Sequence, residues 1–373
     1  MNKTIDDGAR MRERIAGLLA GKRDYRQEVI NLTRKYQYVA FYGCGAILNS
    51  IVETWNASVG RKIDFCCDSD SAKWGKYFSG IKCIPPGELE AIKDKCAVFV
   101  TVGEFKPVFE MLTGRGFPSV NLLYKYDLDA SGYLASASPA EVTASLGRAY
   151  DCLADARSRK VFDSIVSRVL GDGKNISVMP DVFERAQYFP ADIVKLTEHE
   201  SFVDIGAYDG DTVRDLAART GGKFDKVYSF ELDAVNFDHL RRNVDLMPER
   251  GRIRIFNLGI WDSERDISYS VGKSQSTVGA GGAQGHVVPL DKVLAGEKVT
   301  FIKMDIEGAE PQALRGASGL IRAQKPKLAI CIYHDFRHLW EIPLYIREQV
   351  PEYKLYLRHH TNLEYETVCY AIP

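Results

Sequence analysis

The sequence contains no long apolar run and no surplus of positive charge, and each absence excludes a class of protein. No stretch approaches the roughly 18–20 consecutive apolar residues that span a bilayer, and the charged start MNKTIDDGARMRER lacks the apolar centre of a signal peptide. Lys plus Arg number 49 against 50 for Asp plus Glu, so the basic excess of proteins that neutralise nucleic-acid phosphates is missing. We therefore expect a cytoplasmic protein that neither spans a membrane nor binds nucleic acid.

Paired-cysteine motifs are also missing. None of the eight cysteines stands in a C-x-x-C pair or at the spacing of a zinc site. Several lie inside apolar runs, such as Cys66 and Cys67 in IDFCC and Cys331 in LAICIY. This pattern predicts buried free thiols in a reducing compartment and argues against a small disulfide-stapled scaffold.

Two stretches of alternating strand and helix patterns make up most of the 373 residues. At roughly 150 residues per domain, this length suggests about two domains, and the alternation is typical of βαβ units around a parallel sheet. The predicted fold class is α/β, with two Rossmann-like doubly wound domains. We expect a helical segment over 1–36, a small Rossmann-like domain over 37–126, a helical linker over 127–186 and a larger domain over 187–373.

Short apolar and β-branched runs give the predicted strands. In the smaller domain, after helical residues from about Thr4 to Lys35, they are Tyr38–Tyr42, Ile63–Cys67, Ala97–Val102 and Ser119–Leu123. In the larger domain they are Ser201–Ile205, Lys226–Phe230, Ile253–Leu258, Thr300–Met304 and Lys327–Ile332. Two last strands, Tyr353–Leu357 and Thr367–Ile372, are predicted to form an antiparallel hairpin. In the linker, one helix is expected to start at Ser138–Pro139 and another to cover Ser158–Leu170.

A strand that runs into a glycine turn carries the strongest functional signal. The run FVDIGAYDGDT covers Phe202–Thr212, and its glycines permit a sharp turn and close approach to a ligand. The spacing is G-x-x-x-G, unlike the G-x-G-x-x-G of nicotinamide and flavin folds. The loop's three aspartates would repel a pyrophosphate but tolerate the ammonium and sulfonium of S-adenosylmethionine. The predicted cofactor contacts here are Asp204, Gly206, Tyr208, Asp209, Gly210 and Thr212.

The next two strand ends extend this predicted cofactor site. Glu231 follows the strand Lys226–Phe230, where doubly wound folds commonly place an acid that accepts hydrogen bonds from two ribose hydroxyls. Leu232 comes directly after it, and Asn257 lies at the end of the third strand, where an adenine edge would lie. We therefore add Glu231, Leu232 and Asn257 to the predicted cofactor contacts.

Charged residues alternate at the end of the fourth strand, in FIKMDIEGAE. Lys303, Asp305 and Glu307 can project to one side of the chain, at the edge where such sheets bind ligands. Asp305 and Glu307 are predicted catalytic residues, although Glu307 can instead cap the next helix. His334, just past the strand Lys327–Ile332, is the third, either as a base toward a substrate hydroxyl or as a metal ligand with the two acids. A histidine with only structural hydrogen bonds is the alternative.

Three further segments are weaker candidates. Ser274–Thr277 and the glycine-rich Gly279–Gly285 are predicted to form either a lid or an ordinary loop. In the small domain, Gly43–Gly45 forms a G-x-G turn after the first strand, and Asp68 follows the second, where a ribose-binding acid would sit. For this domain, a purely structural role and the binding of a nucleotide or nucleotide sugar both stay open.

Taken together, these runs resemble one known family. FVDIGAYDGDT, FELD, NLGIWD and IKMDIEGAEPQALRGA are similar to the FkbM-type S-adenosylmethionine-dependent methyltransferases, over about Gln187–Pro373. The resemblance implies a seven-stranded class I methyltransferase sheet with a terminal antiparallel hairpin, and a site lined by Asp204, Gly206, Gly210, Glu231 and Asp305. Where the family often carries an acid on the fifth strand, this chain reads ICIYHD, so the base stays open. The small domain is similar, through GCGA and CDSD, to Rossmann-like domains found beside enzymes of surface-sugar biosynthesis.

The predicted function is that of an S-adenosylmethionine-dependent O-methyltransferase, since the resemblance implies methylation of a hydroxyl on a sugar, polysaccharide or related natural product. No dedicated metal site is predicted, although a divalent metal at the acidic strand end stays open. The alternative is a non-catalytic protein that binds a nucleotide or nucleotide sugar. A nicotinamide dehydrogenase is disfavoured by the acidic loop. The oligomeric state is left open.

Overall fold

The structure is a computed structural model, and it describes residues 2–21, 24–103, 105–123, 125–171, 182–271, 276–278, 282–361 and 365–373. The chain packs as two compact units. Residues Ala20–Pro139 form the smaller unit, and Met1–Leu19 with Ala140–Pro373 form the larger one. A search of the described residues finds no helix with the length and apolar content needed to cross a membrane.

The helical residues predicted over about Thr4–Lys35 form two helices, α1 (Asn2–Ala20) and α2 (Tyr25–Arg34). A second helix start inside that stretch separates them. The Asp24 carboxylate accepts a hydrogen bond of 3.0 Å from the backbone N–H of Gln27, and such a cap satisfies an amide that the start of a helix leaves unpaired.

The smaller unit is built on a mainly parallel sheet. Its elements are β1 (Tyr38–Tyr42), α3 (Ala46–Ser58), β2 (Phe65–Cys67), β3 (Tyr77–Phe78), β4 (Ile81–Ile84), α4 (Pro86–Ala91), β5 (Cys96–Val100), α5 (Phe105–Gly114), β6 (Val120–Leu122) and α6 (Lys125–Ser136). Within the described residues the strand order is β3-β4-β2-β1-β5-β6, and only the β3–β4 pair is antiparallel. The predicted Rossmann-like arrangement is confirmed.

The larger unit continues the helix and strand alternation. Its first elements are α7 (Pro139–Asp151), α8 (Ala156–Leu170), β7 (Ser201–Ile205), α9 (Asp211–Thr220), β8 (Lys226–Phe230), α10 (Ala234–Asp245), β9 (Ile253–Phe256), β10 (Gly259–Ile260), β11 (Arg265–Val271), β12 (Ser276–Val278) and β13 (Ala283–Val288). The remaining elements are α11 (Leu290–Val293), β14 (Phe301–Met304), α12 (Glu310–Gly316), α13 (Ser318–Gln324), β15 (Lys327–Cys331), α14 (His338–Gln349), β16 (Lys354–His359) and β17 (Thr367–Ile372).

A seven-stranded sheet forms the centre of the larger unit, with the order β16-β17-β15-β14-β7-β8-β9 among the described residues. Strand β17 lies between β15 and β16 and runs antiparallel to both, whereas the other pairs are parallel. This confirms the predicted class I methyltransferase sheet with its terminal hairpin. The carboxyl ends of β7, β8, β14 and β15 meet at one edge, so the polar residues that follow these strands gather there.

The chain between β9 and β14 forms a second, four-stranded sheet, which was not predicted. Among the described residues its order is β10-β13-β11-β12. The expectation of a loop up to Gly285 was wrong from Ala283 onward, because β13 begins there and pairs with β11 and β10. Gly285 fits this strand for a packing reason, since a Cβ atom there would lie 2.4 Å from Leu232 Cδ1. Residues 272–275 and 279–281, which include Ser274 and Gln275 of the predicted lid, lie outside the described residues.

Candidate functional site

A cavity of about 340 Å³ lies at the carboxyl edge of the seven-stranded sheet, where open α/β sheets bind their ligands. The loop after β7, the ends of β8 and β14, and the small sheet all line it. The predicted site residues in its wall are Gly206, Tyr208, Thr212, Glu231, Leu232, Asp305 and Glu307. The predicted residues outside its wall are Asp204, Asp209, Gly210, Asn257 and His334.

The loop after β7 packs backbone to backbone against the end of β14. Gly206 has φ +80°, and a Cβ atom on it would lie 1.9 Å from the backbone oxygen of Asp305. Only glycine fits at this position. Further along the loop, the Tyr208 amide donates a hydrogen bond of 2.8 Å to Glu231 Oε2, which ties the loop to the end of β8.

A buried ion pair lies beneath this loop. Lys303 Nζ is 3.0 Å from Asp204 Oδ1, with the two side chains 3% and 0% exposed, and it donates a hydrogen bond of 2.7 Å to the Gly206 carbonyl. Burial raises the pKa of Asp204 to about 6, although Lys303 lowers it. Burial lowers the pKa of Lys303, but the carboxylates of Asp204 and Asp305 raise it above its ordinary value. Asp204 was predicted to contact the cofactor; in the structure it holds the lysine that supports the loop.

The other two loop aspartates point in different directions. Asp209 Oδ1 accepts a hydrogen bond of 3.0 Å from Arg214 Nη2, whereas Asp211 lines the cavity beside Thr212. Of the loop's three aspartates, only Asp211 therefore lines the cavity, because a lysine and an arginine pair with the other two. The other acidic residues in the cavity wall are Glu231, Asp305, Glu307 and Glu366.

Glu231 stands at the end of β8, as predicted. Its Oε1 accepts a hydrogen bond of 2.9 Å from the Asp233 amide, and its Oε2 accepts the one from Tyr208 described above. The residue is 7% exposed, and burial raises its pKa to about 7. Each carboxylate oxygen keeps a free lone pair beside its backbone partner, so a ligand can donate to both.

Apolar residues form the part of the cavity wall next to Glu231. Trp261, Ile267, Val287 and Ala309 pack together with Leu232, and most of them come from the small sheet or its flanks. Asn257 does not line the cavity. Its Nδ2 donates hydrogen bonds of 2.9 and 3.0 Å to the carbonyls of Glu231 and Leu232. It therefore fixes the backbone that presents these two residues.

Asp305 lies at the end of β14 with a tyrosine on each oxygen. Tyr188 donates a hydrogen bond of 2.7 Å to Oδ2 and Tyr333 donates one of 3.0 Å to Oδ1. Burial raises the pKa of Asp305, but the neighbouring cations Lys303 and His334 hold it below its ordinary value. The carboxylate is therefore ionised and oriented at neutral pH.

His334 lies behind Asp305, among carboxylates. Its Nδ1 is 3.0 Å from Glu310 Oε1, and its Nε2 is 3.5 Å from both Asp305 Oδ1 and Glu307 Oε2. Burial lowers the pKa of His334, but these acids raise it to about 10. Asp305, Glu310 and His334 also offer ligand atoms within 4.8 Å of one another. The grouping is compact enough for a divalent cation. Its third ligand is Glu310, whereas the sequence analysis named Glu307 for that role.

Strained backbone is concentrated at the cavity. Six residues other than glycine have positive φ in the described part of the chain, and four of them line the cavity: Tyr188, Tyr208, Glu307 and Glu366. Such conformations cost of order 1–3 kcal/mol each and persist mainly where a functional geometry requires them. This observation marks the cavity as a functional site independently of any sequence motif.

Sequence reasoning missed Gln187, Tyr188, Tyr333 and Glu366. Gln187 and Tyr188 belong to the segment before β7, and Glu366 directly precedes β17. No motif marks Gln187, Tyr188 or Glu366, and only the folded chain brings them to Asp305. Tyr333 had a signal in the sequence, because it lies just past β15 beside His334, which was identified on that ground.

In the smaller unit, Asp68 has protein partners. Its Oδ2 accepts hydrogen bonds of 2.9 Å from the Cys44 amide and 2.8 Å from Lys73 Nζ, and its Oδ1 accepts one of 3.0 Å from the Asp70 amide. These bonds tie the G-x-G turn to the end of β2. They give Asp68 a structural task at the position predicted for a ribose-binding acid.

Residues 204–363 match the protein family described as the Methyltransferase FkbM domain. This span contains the loop after β7, the ends of β8 and β14, and His334, and so most of the cavity. No curated protein matches the chain at a significant level.

Among solved structures, the fold is similar to that of the methyltransferase FkbM from Methylobacillus flagellatus KT, with a TM-score of 0.74, 20% identity and coverage of 99% of each chain. Fibrillarin from Aeropyrum pernix, in complex with natively bound S-adenosyl-L-methionine, has a TM-score of 0.32 and 12% identity over 48% of this chain and 70% of that chain. A SAM dependent methyltransferase from Aquifex aeolicus has a TM-score of 0.30 and 13% identity over 47% of this chain and 84% of that chain. Only the first similarity has a TM-score high enough to be informative, and at 20% identity it establishes the fold alone.

Proposed function

We propose that this protein is an S-adenosylmethionine-dependent O-methyltransferase that methylates a hydroxyl group of a sugar, polysaccharide or related natural product. The observation that carries the proposal is one cavity that joins Glu231 at the end of β8 to Asp305 at the end of β14. The match of residues 204–363 to the FkbM methyltransferase domain supports the reaction class. The acceptor class rests on the resemblance of the sequence motifs to that family.

The residues around the cavity fit this cofactor chemically. Glu231 has a free lone pair on each oxygen for two ribose hydroxyls, and the apolar wall with Leu232 and Trp261 suits an adenine ring. Asp211 and Asp305 add negative charge for an ammonium and a sulfonium. A diphosphate would meet these same carboxylates without a free cation, since Lys303 is bound to Asp204 and Gly206.

When bound, S-adenosylmethionine supplies a methyl group on a positively charged sulfur. In this proposal Asp305 accepts the proton of the acceptor hydroxyl, because its carboxylate lines the cavity and is oriented by Tyr188 and Tyr333. With a pKa of about 10, His334 is already protonated at neutral pH and cannot accept a further proton. Its positive charge instead stabilises the carboxylate of Asp305. Much of the rate enhancement then comes from holding the reacting groups in line.

Glu231 gives the cofactor proposal a pH signature. Its pKa of about 7 means that protonation below neutral pH removes the acceptor that the ribose hydroxyls need. We expect S-adenosylhomocysteine to bind about tenfold more weakly at pH 6 than at pH 8, because only about a tenth of the free protein is then in the binding form. In Glu231→Gln, affinity at pH 8 should fall by about 1–3 kcal/mol and this slope should flatten.

Isothermal titration at both pH values measures the effect, with Glu352→Gln as the matched control because Glu352 is half exposed and pairs with Lys325. The control should keep the wild-type affinity and slope. A Glu231→Gln variant that binds like the wild-type protein would place the ribose elsewhere.

A divalent cation is the second candidate for the cluster behind Asp305. The grouping of Asp305, Glu310 and His334 favours it, since two of its three side chains are carboxylates, which suit Mn²⁺. We expect no saturable Mn²⁺ binding by electron paramagnetic resonance, because the His334 imidazolium already neutralises part of this charge. Saturable binding at micromolar Mn²⁺ that Glu310→Gln abolishes would establish the metal role instead.

A non-catalytic nucleotide or nucleotide-sugar binding protein is the alternative to an enzyme. The G-x-G turn at Gly43–Gly45 is the feature that favours it. Incubation with a methyl-labelled donor and a mixed glycan pool separates the two, since label in the glycan fraction requires turnover. The proposal expects label transfer by the wild-type protein.

A further inference from the structure

The two ends of the cavity differ in chemistry. One end contains Glu231 and is the proposed cofactor end, and the other end is lined by acids, tyrosines and an amide. We call Gln187, Tyr188, Asp305, Glu307, Tyr333 and Glu366 the acceptor wall; all of them line the cavity. The cofactor end has Glu231 with the apolar residues around Leu232. The acceptor wall is therefore the surface that a methyl acceptor would meet.

Hydrogen bonds join five residues of the acceptor wall: Gln187, Tyr188, Asp305, Tyr333 and Glu366. Gln187 Nε2 donates to a carboxylate oxygen of Glu366 and lies 3.2 Å from the Tyr188 hydroxyl. Tyr188 in turn donates to Asp305, which also receives the Tyr333 hydroxyl. These contacts order the side chains before any acceptor binds, so they limit which acceptors fit.

Negative charge is concentrated on this wall. Burial, and after it the nearby Asp305, raise the pKa of Glu366 to about 7, so Glu366 is mostly ionised at pH 8. Among the described residues that line the cavity, Lys303 is the one basic side chain, and its ammonium is committed to Asp204 and the Gly206 carbonyl. The His334 imidazolium lies 3.5 Å from Asp305 and Glu307 but does not line the cavity. A phosphate, sulfate or carboxylate on an acceptor would therefore meet carboxylates before any uncommitted cation, at a cost that grows as water is excluded.

We propose that the acceptor wall selects a hydroxyl-rich acceptor without a negative charge, with Glu366 and Glu307 as the residues that reject anionic sugars such as uronates, sugar phosphates and nucleotide sugars. This inference rests on the proposed methyltransferase function and narrows its substrate class. Hydroxyl groups of a neutral sugar donate to the carboxylates, whereas an anion is repelled by them. An ammonium group on the acceptor is tolerated for the same electrostatic reason.

A charge series of otherwise similar sugars tests this selection. Methyl glycosides of glucosamine, glucose and glucuronate, and the galactose and mannose equivalents, are titrated into the protein saturated with S-adenosylhomocysteine. Binding is followed by saturation-transfer NMR. We expect the amino and neutral sugars of at least one series to bind, and each uronate to bind at least about tenfold more weakly than its neutral partner.

At pH 8, where Glu366 is mostly ionised, Glu366→Gln should reduce the preference for the neutral sugar over its uronate by about threefold or more, since one repelling charge is removed without a change of shape. Glu352→Gln, which removes one partner of the exposed ion pair with Lys325, should leave the preference unchanged. Uronates that bind as tightly as their neutral partners, or no binding by any neutral or amino sugar, would overturn the inference.

The titration of S-adenosylhomocysteine distinguishes this failure from a failure of the proposed function. If the cofactor product binds and the charge order is absent, only the acceptor selection is wrong. If the cofactor product itself does not bind, the proposed function is wrong and the sugar series carries no weight in its favour.

Discussion

Asp305→Asn is expected to reduce methyl transfer by about 10²–10⁴-fold, the range in which a positioned proton acceptor contributes to catalysis. The amide keeps the shape of the carboxylate and one oxygen for Tyr188 or Tyr333, but it cannot take up a proton at neutral pH. The rate of label transfer from methyl-labelled S-adenosylmethionine into a mixed glycan pool, at saturating donor, measures this loss.

The affinity for S-adenosylhomocysteine is the control for the Asp305→Asn variant. It should change far less than the rate, because Glu231 and the apolar wall are untouched. A variant that transfers methyl groups within threefold of the wild-type rate would exclude Asp305 as the proton acceptor. A variant that loses cofactor affinity and rate together would assign Asp305 to cofactor binding alone.

Lys303→Met is expected to destabilise the larger unit by about 3–5 kcal/mol, the usual cost of leaving one partner of a buried ion pair without its counterion. Asp204 is fully buried and Lys303 nearly so, so water cannot replace the lost ammonium. The loss also removes the hydrogen bond to the Gly206 carbonyl. Urea denaturation followed by circular dichroism measures the change in unfolding free energy.

The double variant Asp204→Asn/Lys303→Met is the critical control. It should recover most of the stability, because no unpaired charge remains in the interior. Lys325→Met breaks the exposed pair with Glu352 and should cost less than about 1 kcal/mol. If Lys303→Met costs no more than Lys325→Met, the buried pair does not support the loop.

The pH dependence of this pair has a defined sign. Burial raises the folded-state pKa of Asp204 to about 6 from an ordinary value of 3.8. The folded state therefore binds more protons than the unfolded state between these values, and this group's contribution to stability falls as the pH rises from about 4 to 6. In Lys303→Met the pH range over which this contribution falls should extend to higher pH, since the cation that lowers the pKa of Asp204 is gone.

Much of the fold could be predicted from the sequence, for identifiable reasons. Strands β7 and β8 have the predicted bounds, because strands buried on both faces read as continuous apolar runs. The small sheet was missed because β11 reads RDISYSV and β13 contains Gly285, a polar and glycine-bearing pattern that periodicity does not separate from a loop. The boundary between the two N-terminal helices was not predicted, because Asp24 was not identified as a cap.

The sequence predicts where the candidate site lies, but only some of the residues that form it. Motifs at strand ends identified Glu231 and Asp305, since topology alone brings such positions to one edge. They did not reveal that Asp204 pairs with Lys303, although the two residues are direct neighbours on adjacent strands in the register Lys303–Asp204. Tyr188 lies 117 residues before Asp305, and a single sequence has no signal for that contact.

The central claim is that this cavity binds a cationic methyl donor and not a dinucleotide. Isothermal titration of the wild-type protein at pH 8, with S-adenosylmethionine, S-adenosylhomocysteine and NAD in separate runs, tests it most directly. We expect saturable micromolar binding of the first two ligands and no heat from NAD. Tight binding of NAD that Glu231→Gln abolishes, with no heat from either adenosyl ligand, would contradict it.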